Sequence, residues 1–270
     1  MENTNYVHGY TKREAVRLND QATTLDELLH HDTLFPPDSL VLEAGCGVGA
    51  QTKIIAGKNP ASHFVSVDIS ESSLAEAKRL TEDLGIRNVE FQLADVYNLP
   101  FGDATFDCIF ICFVLEHLFH PVKAMKELKR VLKNGGCMMA IEGDHGSTFF
   151  FPDSKNAHLA IDCQIQLQKQ NGGNSNIGRE LYPLFKETGL RDISVSPRMV
   201  YVDNSKPQLV EGFIKNTFTA MIEGIGDKAI QQKLIDEVIF RNGIRDLYRT
   251  AEPDGVFCYT FFKGTGIKGK

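Results

Sequence analysis

The chain has 270 residues and a formal net charge of -6, from 29 Lys and Arg against 35 Asp and Glu. This length suffices for one large α/β domain or two small ones with a full core. An apolar fraction of 42% and a charged fraction of 24% exclude a disordered or collagen-like chain. The acidic balance argues against a surface for duplex nucleic acid, which needs clustered lysine and arginine.

The sequence also indicates a compartment. No apolar run approaches the roughly 18 residues that span a bilayer, and the first residues form no hydrophobic signal region. The six cysteines form neither a CxxC pair nor a zinc-like spacing with histidine. We therefore expect a cytoplasmic protein with reduced, buried thiols, no disulfide, no structural metal and no membrane span.

Short β-branched runs alternate with helical periodicity, which is typical of parallel βαβ units. A first helix begins at a capping box and ends before Pro36 and Pro37, because neither proline ring continues a helix. Strands are then predicted at residues 39–43, 63–68, 89–94, 106–113, 137–141, 192–202 and 256–262. The pattern predicts an α/β fold with a doubly wound, mostly parallel, seven-stranded Rossmann-like sheet.

Helices are predicted between these strands. One begins near Gln51, a second has Ser70 as its N-cap and Gly85 just past its end, and a third begins at Pro121. The segments 1–36, 144–173 and 205–252 are extra to the sheet, and the last two have too much apolar periodicity for disorder. We expect a single domain over 1–270 in which these segments form a helical cap over the ligand side.

The most informative pattern is the run Val-Leu-Glu-Ala-Gly-Cys-Gly-Val-Gly-Ala at residues 41–50. A strand that ends in a glycine-rich turn before a helix lets a ligand approach the backbone and its free N–H groups. Gly45, Gly47 and Ala50 fit the dinucleotide fingerprint, and Asp68 lies about twenty residues beyond, where an acid holds ribose hydroxyls. The segment therefore favours a nucleoside ligand over an ordinary tight turn.

Two functions compete for this loop: a nicotinamide-dependent oxidoreductase and an S-adenosylmethionine (SAM) methyltransferase. Glu43 precedes the glycines, where a carboxylate would repel the pyrophosphate of a dinucleotide and suit a cationic amino-acid group. The alternative for Glu43 is a strand-end carboxylate that caps nearby amides. No Tyr-x-x-x-Lys site for hydride transfer follows the fourth strand.

The loop at residues 43–49 resembles the first motif of the class I SAM-dependent methyltransferases. Residues 93–101 resemble the adenine-proximal loop of that family, 106–118 its fourth strand and turn, and 128–136 its helix and turn before strand five. The motifs occur in family order over about residues 39–142, and the branch is similar to the ubiquinone/menaquinone-type methyltransferases. The resemblance implies SAM as cofactor and a small molecule as methyl acceptor at O, N or C.

The resemblance further implies a cofactor site along the strand ends. The glycines would line the methionine portion, Asp68 would accept from both ribose hydroxyls, and Asp95 would accept from the adenine amine, unless it only caps its own loop. Glu43 would lie near the amino group, Ile69 on the adenine, and Cys112 and Phe113 beside the sulfonium. The implied cofactor-binding residues are Tyr10, Glu43, Gly45, Cys46, Gly47, Gly49, Asp68, Ile69, Asp95, Val96, Cys112 and Phe113.

Methyl transfer from a sulfonium is an in-line displacement, so the protein mainly aligns the reacting atoms and excludes water. A general base is needed only for an acceptor that is protonated at working pH. The candidates are His117, Asp144 and His145, which follow the fourth and fifth strands. Alternatively, His117 packs in its own turn, and the other two lie in a solvated turn.

Two further features remain open. Phenylalanines at 149–151 either line an apolar acceptor pocket or seat the insertion on the core, and Arg179 either binds an acidic acceptor or forms a surface ion pair. A third function, a non-catalytic scaffold with the SAM-binding fold, is disfavoured because Glu43, Asp68 and Asp95 are all present.

Overall fold

The computed structural model describes residues 12–270 of the chain, with side chains from residue 17 onward. The strands β1 to β7 are Leu40–Ala44, His63–Asp68, Val89–Leu93, Phe106–Cys112, Leu132–Phe151, Leu190–Val202 and Val256–Lys268. The helices α1 to α10 are Lys12–His30, Thr52–Lys58, Glu71–Asp83, Pro121–Val131, Lys155–Gln170, Leu181–Thr188, Pro207–Leu209, Ala220–Gly224, Gly226–Gln231 and Glu237–Arg249. A π-helix spans Val210–Thr219, and 3₁₀ turns span Leu115–His117 and Ile177–Glu180.

All seven strands belong to one sheet in the order β3-β2-β1-β4-β5-β7-β6. The pairs from β3 to β5 are parallel, whereas β7 runs antiparallel to both β5 and β6. The predicted mostly parallel, seven-stranded sheet is therefore confirmed. The strand order reverses between β1 and β4, and in open α/β sheets ligands bind at the carboxyl ends of the strands beside such a switch point.

Several predicted boundaries are confirmed by local chemistry. The Ser70 hydroxyl accepts a hydrogen bond from the Ser73 amide and so caps α3. Gly85 follows that helix with a φ of 69°, which a glycine adopts without strain. Pro121 is the first residue of α4, where its missing N–H costs no helical hydrogen bond.

The fifth and seventh strands are longer than predicted. β5 runs to Phe151, so Asp144 and His145 lie in a strand, and the predicted solvated turn at these residues is wrong. Antiparallel pairing with β7 sustains the extension beyond the end of β4, where the pairing Cys112–Ile141 is the last. The helical part of the segment 144–173 is α5.

Two apolar clusters cover the two faces of the sheet. One unites α1, α5 and the helices of the segment 205–252, and it includes Leu25, Ile161 and Phe218. The other unites α4 and α6 through residues such as Leu128 and Phe185. None of the helices within residues 12–270 combines the length and apolar character that crossing a bilayer requires.

The three segments predicted as a cap contact one another. A Cβ atom added at Gly212 in the π-helix would lie 2.5 Å from the Thr24 hydroxyl of α1, and one at Gly243 in α10 would collide with the Asn156 carbonyl of α5. Glycine at both positions therefore permits close helix packing. β7 and the segment 205–252 share a set of rings in edge or tilted contact, Phe213, Phe218, Phe257, Tyr259 and Phe261.

Candidate functional site

The glycine loop joins β1 to α2 at the switch point. The amides of Gly45 and Cys46 both donate to the carbonyl of Val67, at 2.8 and 3.0 Å, which anchors the loop on β2. A Cβ at Gly45 would lie 2.6 Å from the Val114 side chain. Gly47 has a φ of 52° and open space around the position of a Cβ, so its backbone faces a volume that a ligand can occupy.

Glu43 lies beneath this loop and is 2% exposed. Its Oε2 accepts from the Ser66 hydroxyl at 2.6 Å and from the Thr52 hydroxyl at 2.7 Å. Burial, opposed by these hydrogen bonds and assisted by the nearby Asp68, raises the pKa of Glu43 to about 7. The carboxyl therefore ties β1 to β2 and α2 through two hydroxyl groups, whereas the alternative predicted from the sequence was a cap on nearby amides.

Asp68 stands at the end of β2 and contacts the loop directly. Its Oδ2 accepts from the Gly47 amide at 2.8 Å, and its Oδ1 accepts from the Ser70 amide at 2.9 Å. Partial burial raises the pKa of Asp68 above its usual value, and the backbone hydrogen bonds offset only part of this rise. The side chain of Ile69 next to it is 46% exposed, so an apolar surface lies beside the acid.

Asp95 follows β3, the next strand in the sheet. Its exposed carboxylate accepts from the Tyr97 amide at 2.9 Å and shapes the turn that ends at Asn98, whose amide donates to the Asp95 carbonyl. The side chain of Val96 is half-buried. The adjacent strands β1, β2 and β3 thus place Glu43, Asp68 and Asp95 in sequence along one edge of the sheet.

The end of β4 lies against the glycine loop. Cys46 and Cys112 are buried, and burial raises the pKa of each thiol well above its usual value. Phe113 has a φ of 58°, which strains a residue with a bulky side chain. Its amide donates to the Ile141 carbonyl at 2.9 Å, and its ring centroid lies 5.5 Å from that of Phe261.

Glu142 is a residue of this edge that the sequence analysis did not select. Its fully buried Oε1 accepts from the amides of Val114 and Leu115, at 3.0 and 2.8 Å, while its Oε2 has no hydrogen-bond partner among residues 17–270. Burial, reinforced by the negative charge of Glu116, raises its pKa well above the usual range. An acid directly after the apolar run at 137–141 was the available signal.

His117 lies in the 3₁₀ turn after β4, and its side chain is 23% exposed. Its Nε2 is 3.7 Å from Glu116 Oε1, and Gln168 of α5 approaches its Nδ1 at 3.4 Å. Gln168 also donates to the Glu116 carbonyl at 3.0 Å. The turn is thus tied to α5, and its histidine remains accessible from solvent.

Asp144 is buried and engaged by Arg179. Its two oxygens accept from the guanidinium at 2.8 and 2.6 Å, in a bidentate ion pair. Such pairing stabilises the charged carboxylate. Arg179 is therefore an ion-pair residue, as in one of its two predicted roles.

His145 is buried beside Tyr259, a residue of β7 that the sequence analysis also missed. The Tyr259 hydroxyl lies 2.9 Å from His145 Nδ1, and His145 Nε2 is buried without a partner among the described residues. Burial lowers the pKa of His145 and raises that of Tyr259, so both side chains are neutral near pH 7. Only the β5–β7 pairing brings them together, since they are far apart in sequence.

Tyr10 lies outside the described residues. The ring of Phe150 is buried and stacks with Phe257 at 6.1 Å, whereas Phe149 and Phe151 are more than half exposed. Phe150 therefore seats the extended β5 on the core. All six cysteines are unpaired thiols.

Comparison with known proteins identifies a family for the part of the chain that holds the glycine loop. Residues 42–140 match the family model of the methyltransferase domain. An uncharacterized protein in a transposon of Streptomyces fradiae is 30% identical over 205 residues, which are 75% of this chain and 58% of that protein. The ubiquinone/menaquinone biosynthesis C-methyltransferase of Pseudomonas fluorescens is 38% identical over 104 residues, or 38% of this chain and 41% of that protein.

A solved structure shares the fold. The phosphoethanolamine N-methyltransferase 2 of Haemonchus contortus superposes with a TM-score of 0.61 and 15% identity, over 96% of this chain and 59% of that chain. The superposition shows a shared Rossmann-like fold. Residues 42–140 belong to the methyltransferase domain family of the class I SAM-dependent methyltransferases. It spans about half the length of the curated relatives it matches.

Proposed function

We propose that the chain is an enzyme that uses SAM to methylate a small molecule at an O, N or C atom. The observation that carries the proposal is the contact between Asp68 and the Gly47 amide, next to open space at Gly47. A side chain at Gly47 would fill this space. The loop thus leaves its backbone open to a ligand beside a carboxylate that can bind hydroxyl groups.

The residues present fit the chemistry of SAM. Gly45, Gly47 and Gly49 would face its methionine portion, and Asp68 would bind the ribose hydroxyls. The exposed side chain of Ile69 would lie against the adenine, whose amine Asp95 would bind. When bound, SAM supplies a methyl group on a sulfonium, which is already activated for displacement. Glu43 lies below the loop, so any contact with the amino group would need a bridging water.

The protein's own part is to align the acceptor and to exclude water. One bond forms between the acceptor atom and the methyl carbon while the carbon–sulfur bond breaks, and an acceptor that was protonated releases its proton. We assign proton removal to His117, because its side chain is the accessible one of the three candidates. Both oxygens of Asp144 already accept hydrogen bonds from Arg179, so this carboxylate is engaged away from the acceptor.

The acceptor is proposed to be small because the segments 1–36, 144–173 and 205–252 would cap this edge within one domain. Contacts between α1 and the π-helix and between α5 and α10 support such a cap. A cytoplasmic location belongs to the same proposal and is supported by the unpaired cysteines. The net charge of -6 supports an acceptor other than a nucleic acid.

Isothermal titration with SAM and with its demethylated product, S-adenosylhomocysteine, tests the proposal. We expect both to bind with micromolar affinity, and absence of heat with either would reject it. Fluorescence titration with NADH and NADPH tests the oxidoreductase alternative, for which we expect no binding. Release of S-adenosylhomocysteine over a panel of small acceptors, with His117→Gln as the comparison, then separates an enzyme from a non-catalytic scaffold.

A further inference from the structure

Tyr259 and His145 form a buried polar pair in an otherwise aromatic surrounding. They are 3% and 6% exposed, and the rings of Phe218 and Phe261 lie 5.5 and 4.7 Å from the Tyr259 ring. Phe261 also contacts Phe113 at the end of β4, with 5.5 Å between ring centroids. A continuous row of rings therefore leads from the proposed methyl-transfer position to the pair.

The hydrogen bond between Tyr259 and His145 determines which nitrogen of the imidazole carries the proton. The Tyr259 hydroxyl has one hydrogen to donate, and its hydrogen-bond partner within the described part of the chain is His145 Nδ1, at 2.9 Å. If Nδ1 were the donor, the buried Tyr259 O–H and the Nε2 lone pair would both lack a partner, so the arrangement in which the hydroxyl donates to Nδ1 is favoured. A neutral imidazole that accepts at Nδ1 carries its proton at Nε2.

This tautomer leaves a buried donor without an acceptor. His145 Nε2 makes no hydrogen bond within the described residues, and a buried N–H without an acceptor destabilises the fold. Other groups beside the pair are acidic or already engaged: Glu116 acts on His145 and Tyr259 through its negative charge, and Asp144 is bound by Arg179. The negative field disfavours an anionic ligand and leaves a neutral oxygen as the natural partner.

We propose that Tyr259 is a positioning residue that holds His145 as the Nε2–H tautomer, and that this N–H binds a neutral carbonyl or hydroxyl oxygen of the methyl acceptor. The inference rests on the proposed function and names the acceptor class for the same site. With its Nδ1 lone pair engaged, His145 acts as a donor and not as the general base.

Nitrogen-15 NMR of the histidine side chains in the full chain tests the tautomer without any acceptor. We expect protonated Nε2 and unprotonated Nδ1 for His145, assigned with His145→Gln. Tyr259→Phe keeps the ring packing and should give a mixed tautomer, whereas Tyr201→Phe, at a half-exposed tyrosine on β6, should leave the spectrum unchanged. Protonated Nδ1 in the wild type overturns the proposal, and this result does not depend on whether Tyr259→Phe folds.

A matched pair of probes tests the oxygen partner in the presence of S-adenosylhomocysteine. Acetophenone offers a neutral carbonyl oxygen, and α-methylstyrene has nearly the same shape with a CH₂ group in its place. We expect acetophenone alone to shift the His145 Nε2–H resonance. A response to both probes or to neither overturns the assignment of the acceptor class. Failure of S-adenosylhomocysteine to bind would instead reject the proposed function, while the tautomer measurement would still stand.

Discussion

The carboxyl of Glu142 on β5 accepts hydrogen bonds from the amides of Val114 and Leu115, directly after β4. The Val114 side chain in turn lies 2.6 Å from the position that a Cβ at Gly45 would occupy. The buried acid therefore holds in place the turn that packs on the glycine loop. Two strands and the loop are thus coupled through one side chain. These two hydrogen bonds directly follow Phe113 and help to maintain its strained φ.

Glu142→Ala should remove both hydrogen bonds and leave the amides of Val114 and Leu115 unsatisfied. The expected loss is roughly 3 kcal/mol in the free energy of unfolding. Glu142→Gln should be tolerated, because burial favours the uncharged carboxyl and a glutamine oxygen accepts the same two hydrogen bonds. Urea denaturation measures both. Equal losses for the two variants would show that the hydrogen bonds to Val114 and Leu115 contribute nothing.

Glu43 should make stability depend on pH. Its pKa is about 7 in the folded chain against 4.5 for the free side chain, so the folded state binds the proton more tightly. The stability that the folded state gains by binding this proton is fully present below the unfolded pKa and is lost as pH rises through about 7. The total change in the free energy of unfolding is about 3 kcal/mol.

Glu43→Gln isolates that contribution. Without ligand, the variant should gain stability relative to the wild type as pH rises from about 5 to about 8.5, since glutamine has no proton to lose. Denaturation of both proteins across this range gives the difference directly. A difference that does not change with pH would mean that the buried carboxyl titrates normally.

Gly47→Ala should damage binding beyond its effect on folding. A φ of 52° makes alanine cost about 1–2 kcal/mol, and the added methyl group would occupy the open space assigned to the cofactor. Gly85→Ala is the matched control, because Gly85 has a φ of 69°, equally open space and a position away from the site. Both variants should lose similar stability, and Gly47→Ala alone should lose tenfold or more in S-adenosylhomocysteine affinity. Equal affinities would place the cofactor elsewhere.

Asp68→Asn keeps the shape of the side chain and removes the charged acceptor. We expect S-adenosylhomocysteine binding to weaken by roughly 1–3 kcal/mol, because a ribose hydroxyl loses its carboxylate partner. Asp83→Asn, at the exposed end of α3, serves as the control. Titration calorimetry measures both, and an unchanged affinity for Asp68→Asn would remove the ribose assignment.

Arg179→Met should destabilise the chain by about 3–5 kcal/mol, because it leaves the buried Asp144 carboxylate unpaired. The double variant with Asp144→Asn should recover a large part of that loss, since it removes the uncompensated charge. Arg245→Met, at an exposed ion pair on α10, should cost under 1 kcal/mol. A double variant no more stable than Arg179→Met would contradict a role for the ion pair.

The sequence alone determined the frame of the protein. Apolar runs and breakers predicted the sheet and the helix bounds at Ser70, Gly85 and Pro121, because these features depend on residues near one another in the chain. The glycine spacing and the acid at Asp68 likewise predicted a loop and a partner that the fold brings into contact at 2.8 Å.

The contacts around β4, β5 and β7 were decided by tertiary structure. Glu142 meets Val114, and Tyr259 meets His145, only after β4, β5 and β7 have paired, and no local pattern in the sequence encodes those contacts. The extension of β5 through Asp144 and His145 likewise depends on β7, whose antiparallel pairing supplies hydrogen bonds that a glycine-flanked segment does not make alone. Burial then set the protonation of these groups, since desolvation depends on the whole packed environment.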